Sequence, residues 1–244
     1  MLLTQLIPPR AEELKAALRV FNSFLEEPHS NLNERLEIII VGGRGSGKST
    51  IASGMILKAT AETGAWGFSM RRSEKESAKW NLQQLLWSCE TIGVRDNYSP
   101  SLSARQLRNK NSGACICFRG IDEGMFHLAM KARGIPKRRF LWIDEAEEIK
   151  SESEYEAILD ALDLRENPII ILTANPNIRA DHWFNSYVAR IHKYNGENNR
   201  WVFKPWYFDL DRQMLGDSFF KRADEMRKAD GKRFAHEYLG IPIE

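Results

Sequence analysis

The segment 36–50, LEIIIVGGRGSGKST, constrains the fold of this chain more than any other stretch. Its glycine-rich loop fits the spacing G-x-x-x-x-G-K-[ST], with Gly42, Gly47, Lys48 and Ser49 at the fixed positions. An apolar, β-branched run precedes the loop, and a helix-forming run follows it. In this context the glycines let backbone N–H groups turn toward a polyphosphate, and the helix start adds positive charge. The segment therefore predicts a strand, a phosphate-binding loop and a helix.

The polar residues of this loop have expected roles at a bound nucleotide. Lys48 would neutralise the β- and γ-phosphates, the Ser49 hydroxyl would ligate Mg²⁺, and Thr50 would contact the α-phosphate. Arg44 is a second cation within the loop, and its position ties it to the phosphates whatever its rotamer. The candidate nucleotide-binding residues are the whole loop: Gly42, Gly43, Arg44, Gly45, Ser46, Gly47, Lys48, Ser49 and Thr50.

A second segment, FLWIDEAEE at 140–148, ends a buried strand with acidic residues. A carboxylate there can hold the Mg²⁺ of a nucleotide opposite the loop serine, and the next one can polarise the attacking water. We expect Asp144 to bind the metal and Glu145 to act as general base. Glu147 and Glu148 are expected to form a solvated helix start.

A third segment, IIILTANPN at 169–177, is a buried strand that ends in small polar residues. Thr173, Ala174 and Asn175 are expected to lie near the γ-phosphate and to sense its loss. On its own this segment also fits an ordinary Asn-Pro turn. The presence of the glycine-rich segment and of the acidic segment in the same chain favours the role as a γ-phosphate sensor.

Phosphoryl transfer also needs a cation near the charge that develops on the γ-phosphate. Arg44 is the candidate within the loop. The other candidates are Arg71, Arg72, Arg119, Lys131 and Arg133.

The order of the apolar runs predicts the fold class. Short runs at 35–41, 65–70, 138–144 and 168–176 predict buried strands, and amphipathic runs between them predict helices. This pattern indicates an α/β P-loop NTPase fold of the ASCE or RecA-like type, with a mostly parallel sheet and helices on both faces. Ligands of such sheets bind at the carboxyl ends of the strands, where all three segments end. The turn NKNSG predicts an antiparallel hairpin beside this sheet.

Two parts of the chain are expected. Residues 1–34 form an N-terminal helical segment that packs on the core, and residues 35–244 form the ATPase domain. The acidic positions near the end, Asp209, Asp211 and Asp217, do not lie on a convincing set of strands. No nuclease domain is therefore predicted in this chain.

The charge composition limits where this chain could bind nucleic acid. The formal net charge is +2, so any surface for nucleic acid must be a local patch. The basic stretches at 71–80, 103–111 and 137–139 are candidates, although such runs are more often solvated faces.

The first apolar run reaches Pro8 too soon for a signal peptide, no run is long enough to span a membrane, and the three cysteines lack histidine partners for zinc. We expect a soluble, cytoplasmic protein without a membrane partner.

The ordered set VGGRGSGKST, CFRGIDEGMFHLAMKARGI, FLWIDEAEEI and LTANPN resembles the large terminase subunit of tailed bacteriophages. The closing KRFAHEYLGIPIE is similar to the end of that family's ATPase domain, so the resemblance covers nearly the whole chain. It implies a Mg²⁺-dependent ATPase motor that moves double-stranded DNA of any sequence into a procapsid in the host cytoplasm. The implied partners are a portal protein, a small terminase subunit and further copies in a ring. The alternative is another P-loop ATPase that acts on nucleic acid, such as a helicase-like remodeler.

The resemblance also implies roles for particular residues. Asp144 becomes the Walker B aspartate, Glu145 the catalytic carboxylate, and 173–175 the coupling segment. Arg44 matches a basic residue of the family's loop that changes partners as the nucleotide turns over, so it is a catalytic candidate. The family also uses an arginine from the neighbouring subunit, for which Arg119, Arg133 and Arg139 are the candidates.

Overall fold

A computed structural model of the chain describes residues 3–26, 34–135, 137–165, 167–210 and 212–243. Its centre is an eight-stranded sheet in the order β3-β4-β5-β2-β6-β7-β1-β8. The strands are β1 (Leu36–Val41), β2 (Trp66–Arg71), β3 (Tyr98–Ser101), β4 (Gln106–Asn109), β5 (Cys115–Gly120), β6 (Arg138–Asp144), β7 (Ile169–Ala174) and β8 (Arg200–Phe203).

The sheet is mostly parallel. In this order, the neighbours from β5 through to β8 pair in parallel, whereas β4 pairs antiparallel with both β3 and β5. The predicted fold class is therefore confirmed. β7 lies between the strand that leads into the glycine loop and the strand that ends in the acidic pair. Its register aligns Thr173 with Asp144 on one side and Ala174 with Val41 on the other. The three segments therefore meet at one edge of the sheet.

Helices cover both faces of the sheet. They are α1 (Glu12–Glu26), α2 (Lys48–Thr63), α3 (Glu74–Glu76), α4 (Leu82–Thr91), α5 (Met125–Arg133), α6 (Glu152–Leu162), α7 (Trp183–Lys193), α8 (Arg212–Leu215), α9 (Asp217–Ala229) and α10 (Gly231–Leu239). A π-helical turn, Ser77–Asn81, joins α3 to α4. Alternate strand residues enter opposite cores: Ile38 and Ile40 pack with α1, α2 and α4, whereas Ile39 and Val41 pack with α5, α6 and α7.

Helix α1 packs on the first of these cores through one apolar stripe. Leu14, Phe21 and Phe24 of this stripe are buried, and their spacing of three and seven residues keeps them on one face. Burying each such side chain contributes about 1.5–3 kcal/mol. Residues 27–33, which end the predicted N-terminal segment, lie outside the described residues, and the division at residue 34 stays a prediction.

The chain after β8 builds a small separate core. Tyr207, Phe234 and Tyr238 bury their rings together, with Phe219 packed against them. The helical stretch after β8 is divided into α9 and α10 at Asp230, whose side chain caps α10 by accepting the N–H of Arg233.

The acidic positions considered for a nuclease do not form a cluster that the structure describes. Asp209 ends a 3₁₀ turn and Asp217 begins α9, whereas Asp211 lies outside the described residues. Among the described residues, no helix is long and apolar enough to cross a membrane. The three cysteines are buried and unpaired.

Candidate active site

The glycine loop wraps the start of α2. Gly45 and Gly47 have φ angles of 74° and 79°, a left-handed conformation that favours glycine. This conformation lets α2 begin at Lys48, directly below the loop. The Lys48 ammonium donates to the Gly43 carbonyl at 3.1 Å. Burial lowers the pKa of Lys48, and the nearby carboxylates, Glu147 foremost, oppose that effect. The loop thus carries a desolvated cation at a helix N-terminus, which is the combination that binds phosphate.

Helix α10 packs directly on this loop. A Cβ on Gly43 would overlap the backbone carbonyl of Tyr238, so only glycine fits there. The Arg44 N–H donates to the Glu237 carbonyl at 2.7 Å. The Arg44 side chain is 64% exposed, and its Nη1 lies 3.6 Å from Glu237 Oε2. Arg44 is therefore held by its backbone, and its guanidinium is free to change partners.

A hydrogen-bonded chain links the loop to the acidic strand end. Asp144 Oδ1 accepts from Ser49 Oγ at 3.0 Å and from Thr173 Oγ1 at 2.7 Å. Thr173 Oγ1 itself accepts from Trp142 Nε1 at 2.8 Å, which fixes the direction of its hydroxyl proton. One hydrogen-bonded network thus joins the three segments through Ser49, Asp144 and Thr173.

Arg71, at the end of β2, pairs with both acidic residues. Its Nε and Nη2 lie 3.0 Å from Asp144 Oδ2, and Nη2 lies 2.6 Å from Glu145 Oε1. The guanidinium is largely buried, as is Asp144. A planar fork of this kind orients both carboxylates as well as neutralising them.

Glu145 adopts a strained backbone conformation. Its φ and ψ of 58° and 47° are left-handed, which costs a residue other than glycine about 1–3 kcal/mol. Burial raises the pKa of its carboxyl, the Arg71 guanidinium opposes that effect, and the Asp144 charge adds to it. Strain of this size persists where the surrounding structure fixes a residue, and here the Glu145 carboxyl is paired with the Arg71 guanidinium.

The oxygen atoms at this edge suit Mg²⁺, which prefers hydroxyl, carboxylate and phosphate oxygens. Ser49 Oγ and Asp144 Oδ1 are 3.0 Å apart and would hold the metal together with nucleotide phosphates. Among the described residues, no group of three or more His, Cys, Asp and Glu could hold a metal without a nucleotide.

A cavity of about 390 Å³ adjoins the loop on the side of Thr50. Its walls come from the loop, from the start of α2, from α4, from the chain after β8 and from Leu6 near the N-terminus. They include Gly45, Gln84, Trp87, Leu210 and Leu215, so they are mainly apolar with one amide. This is the lining expected of a seat for a flat heterocycle.

Glu147 is not solvated, and that prediction was wrong. Its Oε1 accepts the backbone N–H of Asn175 at 3.1 Å, and its Oε2 is buried without a hydrogen-bond partner. Burial raises the pKa of this carboxyl to about 8. The cause is the short 3₁₀ turn Ala146–Glu148, which follows the left-handed Glu145 and directs Glu147 inward while Glu148 stays exposed.

The raised pKa predicts a pH dependence of stability. Between about pH 4.5 and about pH 8 the folded protein holds a proton on Glu147 that the unfolded chain has released, so this residue makes stability fall as pH rises. Glu147→Gln has no such proton. Between about pH 5 and about pH 9, we expect the free energy of unfolding of wild type to fall by more than about 1 kcal/mol relative to that of Glu147→Gln. The reason is that one pKa unit corresponds to about 1.4 kcal/mol. Urea titrations at both pH values measure this, and parallel pH curves for the two proteins would contradict it.

Comparison with known proteins identifies the family. A family model described as phage terminase large subunit matches residues 34–241. The chain belongs to this family. The match begins just before β1 and ends after α10, so it includes every residue of the site.

Terminase relatives agree in sequence and fold. The large terminase subunit of Bacillus phage SPP1 is 26% identical over 215 residues, which cover 85% of this chain and 49% of that protein. The large terminase of a thermophilic bacteriophage, in complex with ADP, matches with a TM-score of 0.66 and 16% identity over 95% of this chain and 53% of that one. The ATPase domain of the Thermus phage P74-26 large terminase matches with a TM-score of 0.56 and 16% identity over 89% of this chain and 95% of that one. This terminase chain therefore spans about half the length of the curated relative it matches.

The candidates for an arginine donated between terminase subunits lie in different environments. Arg119 is buried in β5 and donates to the Phe118 carbonyl. Arg139 is the second residue of β6, at the edge opposite Asp144, and donates to the Asn167 carbonyl. Arg133 is exposed at the end of α5.

Two of the remaining cations are structural. Arg138 donates to backbone carbonyls and pairs with Asp163, and Lys131 pairs with Glu74 and Glu123. The basic stretch at 137–139 is therefore partly internal.

Sequence reasoning named Arg71 only as one of several cations, and it missed Glu147. Arg71 had a usable signal, because it ends a buried strand at the edge where the motifs meet. Glu147 had none, because its direction depends on the left-handed turn at Glu145.

Proposed function

We propose that this chain is the ATP-hydrolysing motor domain of a large terminase, which uses ATP and Mg²⁺ to drive double-stranded DNA into a procapsid. The observation that carries the proposal is the single network of Ser49, Asp144, Thr173 and Arg71 beside a P-loop lysine. Two relatives support it by their names: the large terminase of the thermophilic bacteriophage, in complexes with ADP and ATP-γ-S, and the DNA packaging ATPase of bacteriophage phi29.

In the proposed mechanism each residue has one task. Lys48 and the loop N–H groups bind the phosphates, and Ser49 and Asp144 would hold Mg²⁺, which would neutralise charge on the phosphate oxygens. Glu145 takes a proton from the attacking water. Thr173, already bonded to Asp144, reports the loss of the γ-phosphate to residues 174 and 175. The base of the nucleotide occupies the cavity between Trp87 and Leu215.

The assembly is also part of the proposal. Copies of the chain form a ring on a portal protein, together with a small terminase subunit, in the host cytoplasm. Arg133 is our preferred residue for donation to a neighbouring copy, because it is the exposed member of the three candidates. Contacts with DNA are to phosphates, because packaging must accept any sequence.

Turnover and unwinding assays test this function. We expect Mg²⁺-dependent release of phosphate from ATP at a rate per subunit that rises with protein concentration, and no strand separation on a forked duplex. Absence of hydrolysis at any protein concentration would remove the proposal. Strand separation would instead favour a helicase-like remodeler, the alternative that the family match disfavours.

Arg44→Ala tests whether Arg44 has a role in turnover that differs from the phosphate-binding role of Lys48. Because the Arg44 guanidinium is exposed and only loosely paired, we expect nucleotide affinity to change by less than about threefold while kcat falls by at least about tenfold. Isothermal titration with an ATP analogue and steady-state turnover measure the two quantities. Arg233→Ala is the matched control, because Arg233 pairs with the same Glu237 from α10 and should leave kcat near wild type. Equal turnover by Arg44→Ala and wild type would assign Arg44 to packing.

A further inference from the structure

The peptide group between Ala174 and Asn175 is held at both ends. Its carbonyl accepts the N–H of Gly42, the first residue of the glycine loop, at 3.1 Å. Its N–H donates to Glu147 Oε1 at 3.1 Å. Since β7 lies between β1 and β6, this one peptide spans from the loop on one side to the acidic turn on the other.

The partner of this N–H is a side chain rather than a neighbouring strand. β7 ends at Ala174, and Pro176 comes two residues later, so the Asn175 N–H lies beyond the strand and donates to the Glu147 side chain. The Gly42 N–H and the Glu147 carboxyl therefore orient this peptide together, and Glu147 accounts for its N–H end. If Glu147 Oε1 is removed, the Asn175 N–H has lost its hydrogen-bond acceptor, and the peptide is held less firmly against the glycine loop.

The second oxygen of Glu147 argues against a purely stabilising role. Oε2 is buried without a partner, and so is Oδ1 of Asn175. Burying unpaired polar atoms is unfavourable, so the pair carries a cost beside the one hydrogen bond that it makes. Glu147 is also the carboxylate with the largest effect on the pKa of Lys48. The side chain therefore contacts the predicted coupling segment and acts electrostatically on the P-loop lysine.

We propose that Glu147 is a positioning residue that orients the Ala174–Asn175 peptide against the glycine loop, so that nucleotide in the loop changes the hold on this peptide. The inference rests on the proposed ATP-binding function. The role needs an acceptor oxygen and no charge. Burial, which raises the pKa of Glu147 to about 8, already favours the neutral form near neutral pH.

Hydrogen exchange at the Asn175 amide, with and without a non-hydrolysable ATP analogue, tests the inference. In wild type we expect slow exchange that changes when the analogue binds. In Glu147→Ala we expect exchange at least about tenfold faster without nucleotide and no response to the analogue, although the analogue still binds. Glu147→Gln keeps an acceptor oxygen and should restore both the slow exchange and the response.

Turnover provides the second readout. Glu147→Ala should lower kcat at least about tenfold with KM within about threefold, and Glu147→Gln should recover most of kcat. Glu148→Ala is the control, because that neighbouring side chain is exposed and should match wild type. Amides elsewhere in the sheet should exchange as in wild type in every variant, which separates this effect from global unfolding.

Each contrary result has one meaning. Wild-type exchange or wild-type turnover in Glu147→Ala would overturn the inference, as would Glu147→Gln behaving like Glu147→Ala. A wild-type protein that binds the analogue without any response at Asn175 would overturn it too. If wild type binds no nucleotide at all, the proposed function fails, and the inference that depends on it fails with it, whatever the exchange rates.

Discussion

Glu145→Gln is expected to abolish nearly all ATP hydrolysis while leaving nucleotide binding intact. A general base contributes about 10²–10⁴-fold to rate, so kcat should fall by that factor. Glutamine keeps the size of the side chain and can still accept a hydrogen bond from Arg71, which lies 2.6 Å from Glu145 Oε1. The phosphate-binding groups of the loop are untouched, so the Kd for an ATP analogue should stay within about threefold of wild type.

The position of Glu145 makes this test specific. Asp144 is the adjacent carboxylate, but it is committed to Ser49, Thr173 and Arg71 and cannot replace the base. Glu148→Gln serves as the control for loss of one negative charge nearby, since that side chain is exposed. Single-turnover phosphate release measures the chemical step directly. Hydrolysis by Glu145→Gln within about tenfold of wild type would assign the base to another group.

Much of the fold and part of the site could be predicted from the sequence. The apolar runs that became β1, β6 and β7 are buried on both faces, so their composition alone marks them as central strands. The glycine spacing between β1 and α2 follows from backbone needs that few other residues satisfy, as the left-handed Gly45 and Gly47 illustrate. Strand ends in a parallel sheet share one edge, which brings residues 42–50, 144–145 and 173–175 together.

The rest depends on side-chain directions that no local pattern specifies. Glu147 reads as one more acid in an acidic stretch, and only the left-handed backbone of Glu145 directs it inward. The small core after β8 covers the loop, and no motif in its sequence indicates this contact. Its contact with Gly43 arises from packing of Tyr238, which lies far away in sequence.

Arg71→Ala is expected to damage both stability and turnover. The change leaves the buried Asp144 carboxylate without its cation, which we expect to cost about 3 kcal/mol, near the lower end for a broken buried pair because Ser49 and Thr173 still donate to it. Glu145 would lose the contact that orients it. A displacement of about 1 Å at a reacting group costs about 10²-fold, so kcat should fall by roughly that factor. Thermal unfolding and steady-state kinetics on the same preparation measure both effects.

The adjacent arginine provides the matched comparison. Arg72 pairs with exposed Asp122 and donates to the Glu148 carbonyl, away from the acidic pair. Because surface ion pairs contribute about 0–1 kcal/mol, Arg72→Ala should nearly match wild type in stability and in kcat. Arg71→Lys keeps the charge and loses the fork, so it should recover stability more than turnover. If Arg71→Ala and Arg72→Ala have equal effects on kcat, the pairing of Arg71 with Asp144 and Glu145 has no part in catalysis, and the carboxylates are positioned by the strained turn and the two hydroxyls alone.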